Sequence, residues 1–214
     1  MSLVGLEQGV MRPTALVLNL FVATIVIVRF DRAGALPWRH LVPLAVGSVP
    51  AAFVGGSIDL PGELYRPLVA VVLLAGAWRL FTARSTEGDE ATRRGVPWLA
   101  GVAAGAGIGL LAGLSGTGGG IFLTPLLVLA GWTGTREAAG LSGAFILVNS
   151  AAGLGGLLAV GLALPASLPT WIAAVVAGGL LGSWLGAARF SILQLRRVLA
   201  VVLVIAAVNL VAFP

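Results

Sequence analysis

From Pro97 to Gly131 the chain carries no charged side chain, and in the middle of that run lies the stretch Gly113 to Pro125, which reads GLSGTGGGIFLTP. An apolar run of this length belongs in a membrane, where one helical crossing takes roughly 17–25 residues. Glycines crowded into it are not there for helix propensity, because each costs about 1 kcal/mol relative to alanine in a helix interior. Backbone groups freed at membrane depth must also find partners. The stretch therefore reads as a deliberate break in a membrane helix.

Composition extends this to the whole chain. Hydrophobic residues make up 58% and charged residues 10%, with a mean hydropathy of +1.05, and the apolar residues fall in long blocks. That pattern describes an all-α polytopic membrane protein, with room for about six crossings. The formal charge of +5 then concerns topology rather than nucleic acid, and all 13 basic residues are arginine. Absence of cysteine excludes disulfides, thiol catalysis and thiolate metal sites. Met1 to Val10 carries Glu7 and no basic residue, unlike a cleavable signal.

The apolar blocks run about Pro13 to Val28, Leu41 to Ile58, Pro67 to Leu80, the broken block Pro97 to Gly131, Ala138 to Leu158, Thr170 to Ala188, and Val198 to Phe213. Short cytoplasmic loops keep an excess of positive charge. If the broken block crossed once, the loop with Arg189, Arg196 and Arg197 would fall outside and the uncharged turn Gly161 to Pro169 inside. If it enters and returns to the same side, the loops at Arg29 to Arg39, Arg79 to Arg94, Arg136 and Arg189 to Arg197 are all cytoplasmic. Only Arg12 and Arg66 then remain outside. The arginines thus select a returning element, a hairpin or half-helix. Trp38, Trp78, Trp98 and Trp132 fall at cytoplasmic ends and Trp171 at an outer end, as in an aromatic belt.

A shift of 130 positions brings Asn19 onto Asn149, Gly56 onto Gly186, Arg66 onto Arg196 and Leu80 onto Leu210. The expected organisation is two repeats, 1–84 and 97–214, joined by a polar cytoplasmic linker at 85–96. Under the topology above the repeats are inverted, an arrangement many transporters use to alternate access around a central site. The first repeat lacks a counterpart of the broken element, whose position would fall before Met1, so the expectation is either that the first half has lost it or that the sequence starts downstream of the true start.

A chain that breaks at Gly116 to Gly120 and restarts a helix toward Ile121 presents unpaired N–H groups and the positive end of a helix dipole. Glycine lets an anion approach the backbone, and the hydroxyls of Ser115 and Thr117 add donors. Ser115, Gly116, Thr117, Gly118, Gly119 and Gly120 are therefore the candidate substrate-binding residues. Asn149, accompanied by Ser142 and Ser150, joins them because an amide inside a membrane block must be satisfied; Asn19 is its symmetry mate. For Gly101, Gly105, Gly109, Gly153, Gly155, Gly156, Gly178 and Gly179 the reading is tight helix packing.

These residues, GLLAGLSGTGGGIFLTP from Gly109 to Pro125 followed by Leu126, Leu127 and the Gly131 turn, resemble the sulfite exporter TauE/SafE family of anion permeases. The similarity takes in the turn with Arg136 and Glu137, the Ser/Asn-bearing helix and two further helices, with the same three-helix pattern in the first half. It implies a multi-pass plasma-membrane permease for sulfite, an organosulfonate or a related sulfur oxyanion. Family members usually carry the Gly-rich element in both halves, and here one copy is missing. The alternative expectation is a non-transporting or truncated membrane subunit that needs a partner chain.

Other chemistries fit poorly. A Walker loop needs a lysine, and the chain has none. Ser115 lacks a base, because the sole histidine, His40, falls at a cytoplasmic end, so no enzyme activity is expected. No cofactor and no metal are expected. Glu7, Asp31, Asp59, Glu63, Glu87, Asp89, Glu90 and Glu137 all lie in loops or at block ends, which disfavours a buried proton relay. The expected partners are the lipid bilayer and a small anionic substrate, a homo-oligomer is compatible, and nucleic acid is not expected.

Overall fold

A computed structural model describes residues 8–58, 94–161 and 164–189, with scattered helical positions between 63 and 78 and between 201 and 208. Among the described residues the chain is helical, without strands. The elements are α1 (Gln8–Arg32), α2 (Trp38–Ser57), α3 (Trp98–Ser115), α4 (Gly120–Leu129), α5 (Thr135–Val160) and α6 (Leu168–Arg189). Four are long and apolar enough to cross a bilayer, over Val10–Arg32, Trp38–Ser57, Trp98–Ser115 and Arg136–Val160. The linker 85–93, most of the blocks Pro67 to Leu80 and Val198 to Phe213, and the repeat matches at Arg66, Leu80, Arg196 and Leu210 lie outside the described residues.

Backbone proximity made possible by missing side chains organises the bundle. On α3, Gly105, Gly109 and Gly113 recur every four residues and so share one face. A Cβ added to each would run into the backbone of Leu44, Ser48 and Ala52 of α2, respectively. The pairing rises along both helices together, so α2 and α3 are parallel. α5 closes the group: Gly56 of α2 meets the backbone of Gly153, and Gly156 that of Phe53. The packing reading holds for Gly101, Gly105, Gly109, Gly153 and Gly156, while Gly155 leaves room for a Cβ in ordinary contact with the Phe53 ring. At Gly178 and Gly179 an added Cβ finds nothing within 4 Å among the described residues.

α1 runs the other way. Leu16 reaches Gly153, Val26 reaches Gly143 and Phe30 reaches Gly140, an antiparallel register along α5. Toward the arginine-rich end, Leu41, Leu44, Leu123, Leu127, Leu141 and Phe145 form an apolar core between α2, α4 and α5. Phe21, Val46, Phe53, Leu99 and Leu158 lie exposed on the outside, the surface a bilayer would cover.

The broken block returns to the side it entered from. Arg94, just before α3, donates its backbone N–H to the carbonyl of Gly131, just after α4, at 3.2 Å. α4 has only ten residues, a rise of about 15 Å and so about half of a hydrocarbon core. This is the half-helix form of the returning element.

One expectation is corrected. Arg12 is not a loop arginine facing the outer solution; it lies inside α1 and is 5% exposed. Its Nε donates to Gly113 O at 2.9 Å, Nη1 to Ile58 O at 2.8 Å, and Nη2 to Gly56 O at 2.8 Å and also to Gly55 O. The last carbonyls of a helix have no partner within it. Arg12 satisfies such carbonyls on two helices at once, at the ends where the dipoles favour a cation.

Candidate functional site

α3 ends at Ser115, and the chain passes through Gly116 to Gly119 before α4 resumes at Gly120. Gly116 (φ 74°), Gly118 (φ 72°) and Gly119 (φ 78°) all take the left-handed conformation, which side chains disfavour. Gly116 closes α3 by donating to Ala112 O at 2.9 Å. Gly119 precedes α4 with no side-chain cap, while its carbonyl accepts from Phe122 and Leu123. The N–H groups of Gly120 and Ile121 thus have no acceptor in their own helix, and the positive end of the α4 dipole lies at the break.

Space at the break is set by α1 and α5. A Cβ at Gly118 would stand 2.9 Å from Ile146 Cγ2, 3.1 Å from Asn19 Nδ2 and 3.2 Å from Ser150 Oγ. Glycine here therefore lets the backbone lie against two polar side chains. Asn19 Nδ2 donates to Gly116 O at 3.2 Å, tying α1 to the end of α3. Asn149 instead donates to Phe145 O of its own helix at 2.9 Å. The two asparagines matched by the sequence shift are therefore bonded differently.

Ser115 and Thr117 are committed within the break. Ser115 Oγ bonds Leu111 O at 2.6 Å and shares a hydrogen bond with Thr117 Oγ1 at 2.8 Å, while Thr117 N donates to Ser115 Oγ at 3.4 Å. They fix the turn. His40 lies near the other end of α3, beside Gly95, roughly a helix length of 27 Å from Ser115. Ser142 holds α4 to α5 through Thr124 Oγ1 at 2.6 Å.

What remains unsatisfied is informative. Asn149 Oδ1, Ser150 Oγ and Ser48 Oγ are buried without a hydrogen-bond partner, and all three residues are 0% exposed. Ser48 is one turn below Ala52 on α2, and Asn149 one turn below Gly153 on α5. Ala52 O lies 3.6 Å from where a Gly153 Cβ would stand. Asn19, Ser48, Asn149 and Ser150 are thus all near the middle of their helices, where an unpaired polar group costs most. Ser48 was not among the residues expected from sequence. Its only signal there was a hydroxyl between small residues in the second apolar block.

Lipid-facing helices around a helix broken at mid-span, with unpaired polar groups beside the break, define a polytopic membrane protein of the broken-helix kind that transporters use. The chain belongs to the sulfite exporter TauE/SafE family, whose match covers residues 1–210. A protein of Sinorhizobium fredii named "Probable membrane transporter protein y4hK" is 36% identical over 214 residues, covering 98% of this chain and 86% of that protein. No solved structure matches. The chain is a multi-pass membrane transporter of the TauE/SafE type.

Proposed function

We propose that this transporter is a permease for a small anion, with sulfite, an organosulfonate or a related sulfur oxyanion as its substrate, bound where α3 breaks. One observation carries the reading: the fully buried hydroxyl of Ser150 is unpartnered and lies beside Gly118 at the uncapped N-terminus of α4. The N–H groups of Gly120 and Ile121 and the Ser150 hydroxyl offer donors, and the helix dipole favours negative charge. Among the described residues no acidic side chain lines the break; the acidic residues in the described helices lie toward their ends. The inside-negative membrane potential would drive such a substrate outward. The family's printed description, sulfite exporter, supports the choice of substrate class.

Ser150→Ala tests the reading with little structural risk, because removing an unpaired buried hydroxyl costs no hydrogen bond within the protein. One lost hydrogen bond to a charged ligand is worth about 1.5–3 kcal/mol, so substrate affinity in reconstituted vesicles should fall about ten- to a hundredfold. Melting temperature should stay at the wild-type value. Wild-type flux kinetics in Ser150→Ala with sulfite, sulfate, thiosulfate and taurine alike would refute the site.

A further inference from the structure

A second polar feature lies at the arginine-rich end, outside the break. A half-open depression of about 400 Å³ there is lined by the exposed Arg39 and Arg94 and the half-buried His40, Gly95, Val96, Trp132 and Glu137. That volume falls in the range of small-molecule sites. Three parallel helices begin around it: Arg39 and His40 belong to the first turn of α2, Arg94 and Gly95 lead into α3, and Trp132 and Glu137 flank the start of α5. α2 and α3 follow Pro37 and Pro97, which supply no side-chain cap, whereas α5 has Glu137 folded back toward Gly134 N at 3.4 Å. Gly95, in the left-handed conformation (φ 71°), brings its backbone against the His40 ring; a Cβ there would stand 3.2 Å from Nε2. The lining therefore carries two guanidiniums against one carboxylate, at the positive ends of helix dipoles.

We infer that this depression is a second binding site, for a small oxyanion, separate from the break and at the opposite end of α3. Two arginines from different elements can grip an oxyanion from two sides with charge-assisted hydrogen bonds. The dipoles of α2 and α3 add to that field without contributing a titratable group. Glu137 disfavours an acidic or multiply charged macromolecular surface and leaves room for one compact anion. At the mouth of a permease such a site concentrates anions before they reach the membrane interior. The same chemistry would accept a free oxyanion or the phosphate of an anionic lipid headgroup.

The test is calorimetric titration of sodium sulfate into the full-length protein in phosphatidylcholine nanodiscs, with sodium chloride at matched ionic strength as control. Saturable binding specific to sulfate is expected. Arg39→Gln with Arg94→Gln should weaken it about tenfold or more, and each single substitution about threefold; the singles keep the test open if the double variant misfolds. Gly118→Val, which should lose flux, should bind sulfate at this site as the wild type does, so the two sites can fail separately. Nanodiscs containing phosphatidylglycerol identify the source: loss of the sulfate signal makes a lipid headgroup the occupant, and its persistence a free oxyanion. The inference is overturned if sulfate gives no more than the chloride response in neutral nanodiscs, or if the arginine variants bind within twofold of wild type.

Discussion

Replacing Arg12 tests a junction where, among the described residues, one side chain ties three helices together. Its guanidinium donates to the carbonyls of Gly55, Gly56 and Ile58 at the end of α2 and Gly113 at the end of α3. None of these carbonyls has a partner within its own helix. In Arg12→Met the stem still packs, but four acceptors lose their donor at ~1 kcal/mol each, about 4 kcal/mol in all. Arg12→Lys places a three-donor point charge where a planar fork was, recovering one or two bonds and leaving a loss of about 2 kcal/mol. Unfolding of the purified protein by titration with sodium dodecyl sulfate should therefore rank wild type above Arg12→Lys above Arg12→Met. If Arg12→Met unfolds within about 0.5 kcal/mol of wild type, the carbonyls are satisfied in some other way and the capping argument fails.

Glycine substitutions separate packing from conformation. Gly105→Ala drives a methyl group into the Leu44 backbone, which cannot rotate away, and should cost about 1–3 kcal/mol by thermal unfolding. Gly178→Ala, with nothing within 4 Å among the described residues, should be neutral or stabilise by up to about 1 kcal/mol. Gly119→Ala combines a left-handed backbone with a Cβ only 2.8 Å from Ile108 Cγ2 and 3.0 Å from Phe145 Cε1, so both stability and flux should fall. Gly131→Ala has the same backbone hand but open space; it should lose only about 1–2 kcal/mol and keep its flux.

The membrane helices and the returning element were legible because they rest on block length, glycine content and the placement of arginines. The Arg94 to Gly131 hydrogen bond joins the two ends that the charge argument placed on one side. Individual side-chain roles were less legible. Arg12 looked like a topology signal because sequence hydropathy cannot see two other helix ends converging on it. A cation in the first turns of a helix opposes that helix's own dipole, and this was the available sign that it answers something else. Ser115 and Thr117, expected as ligand donors, bond each other and the last turn of α3, a local arrangement that composition does not resolve. Ser48 and Gly109 are brought together only by the parallel pairing of α2 with α3.

That pairing limits how the molecule can move. Where α2, α3 and α5 meet backbone to backbone, no side chain is available to deform or change rotamer as neighbours slide. The three helices should therefore shift as a single stiff body, carrying Ser48, the end of α3, Asn149 and Ser150 together. Among the described helices, opening and closing around the break would then fall at the seams this body makes with α1 and α4. The Thr124 to Ser142 hydrogen bond crosses the α4 seam, whereas the Asn19 to Gly116 bond and the four bonds of Arg12 all cross the α1 seam, so among the described contacts the α4 seam is the one held by fewer polar ties.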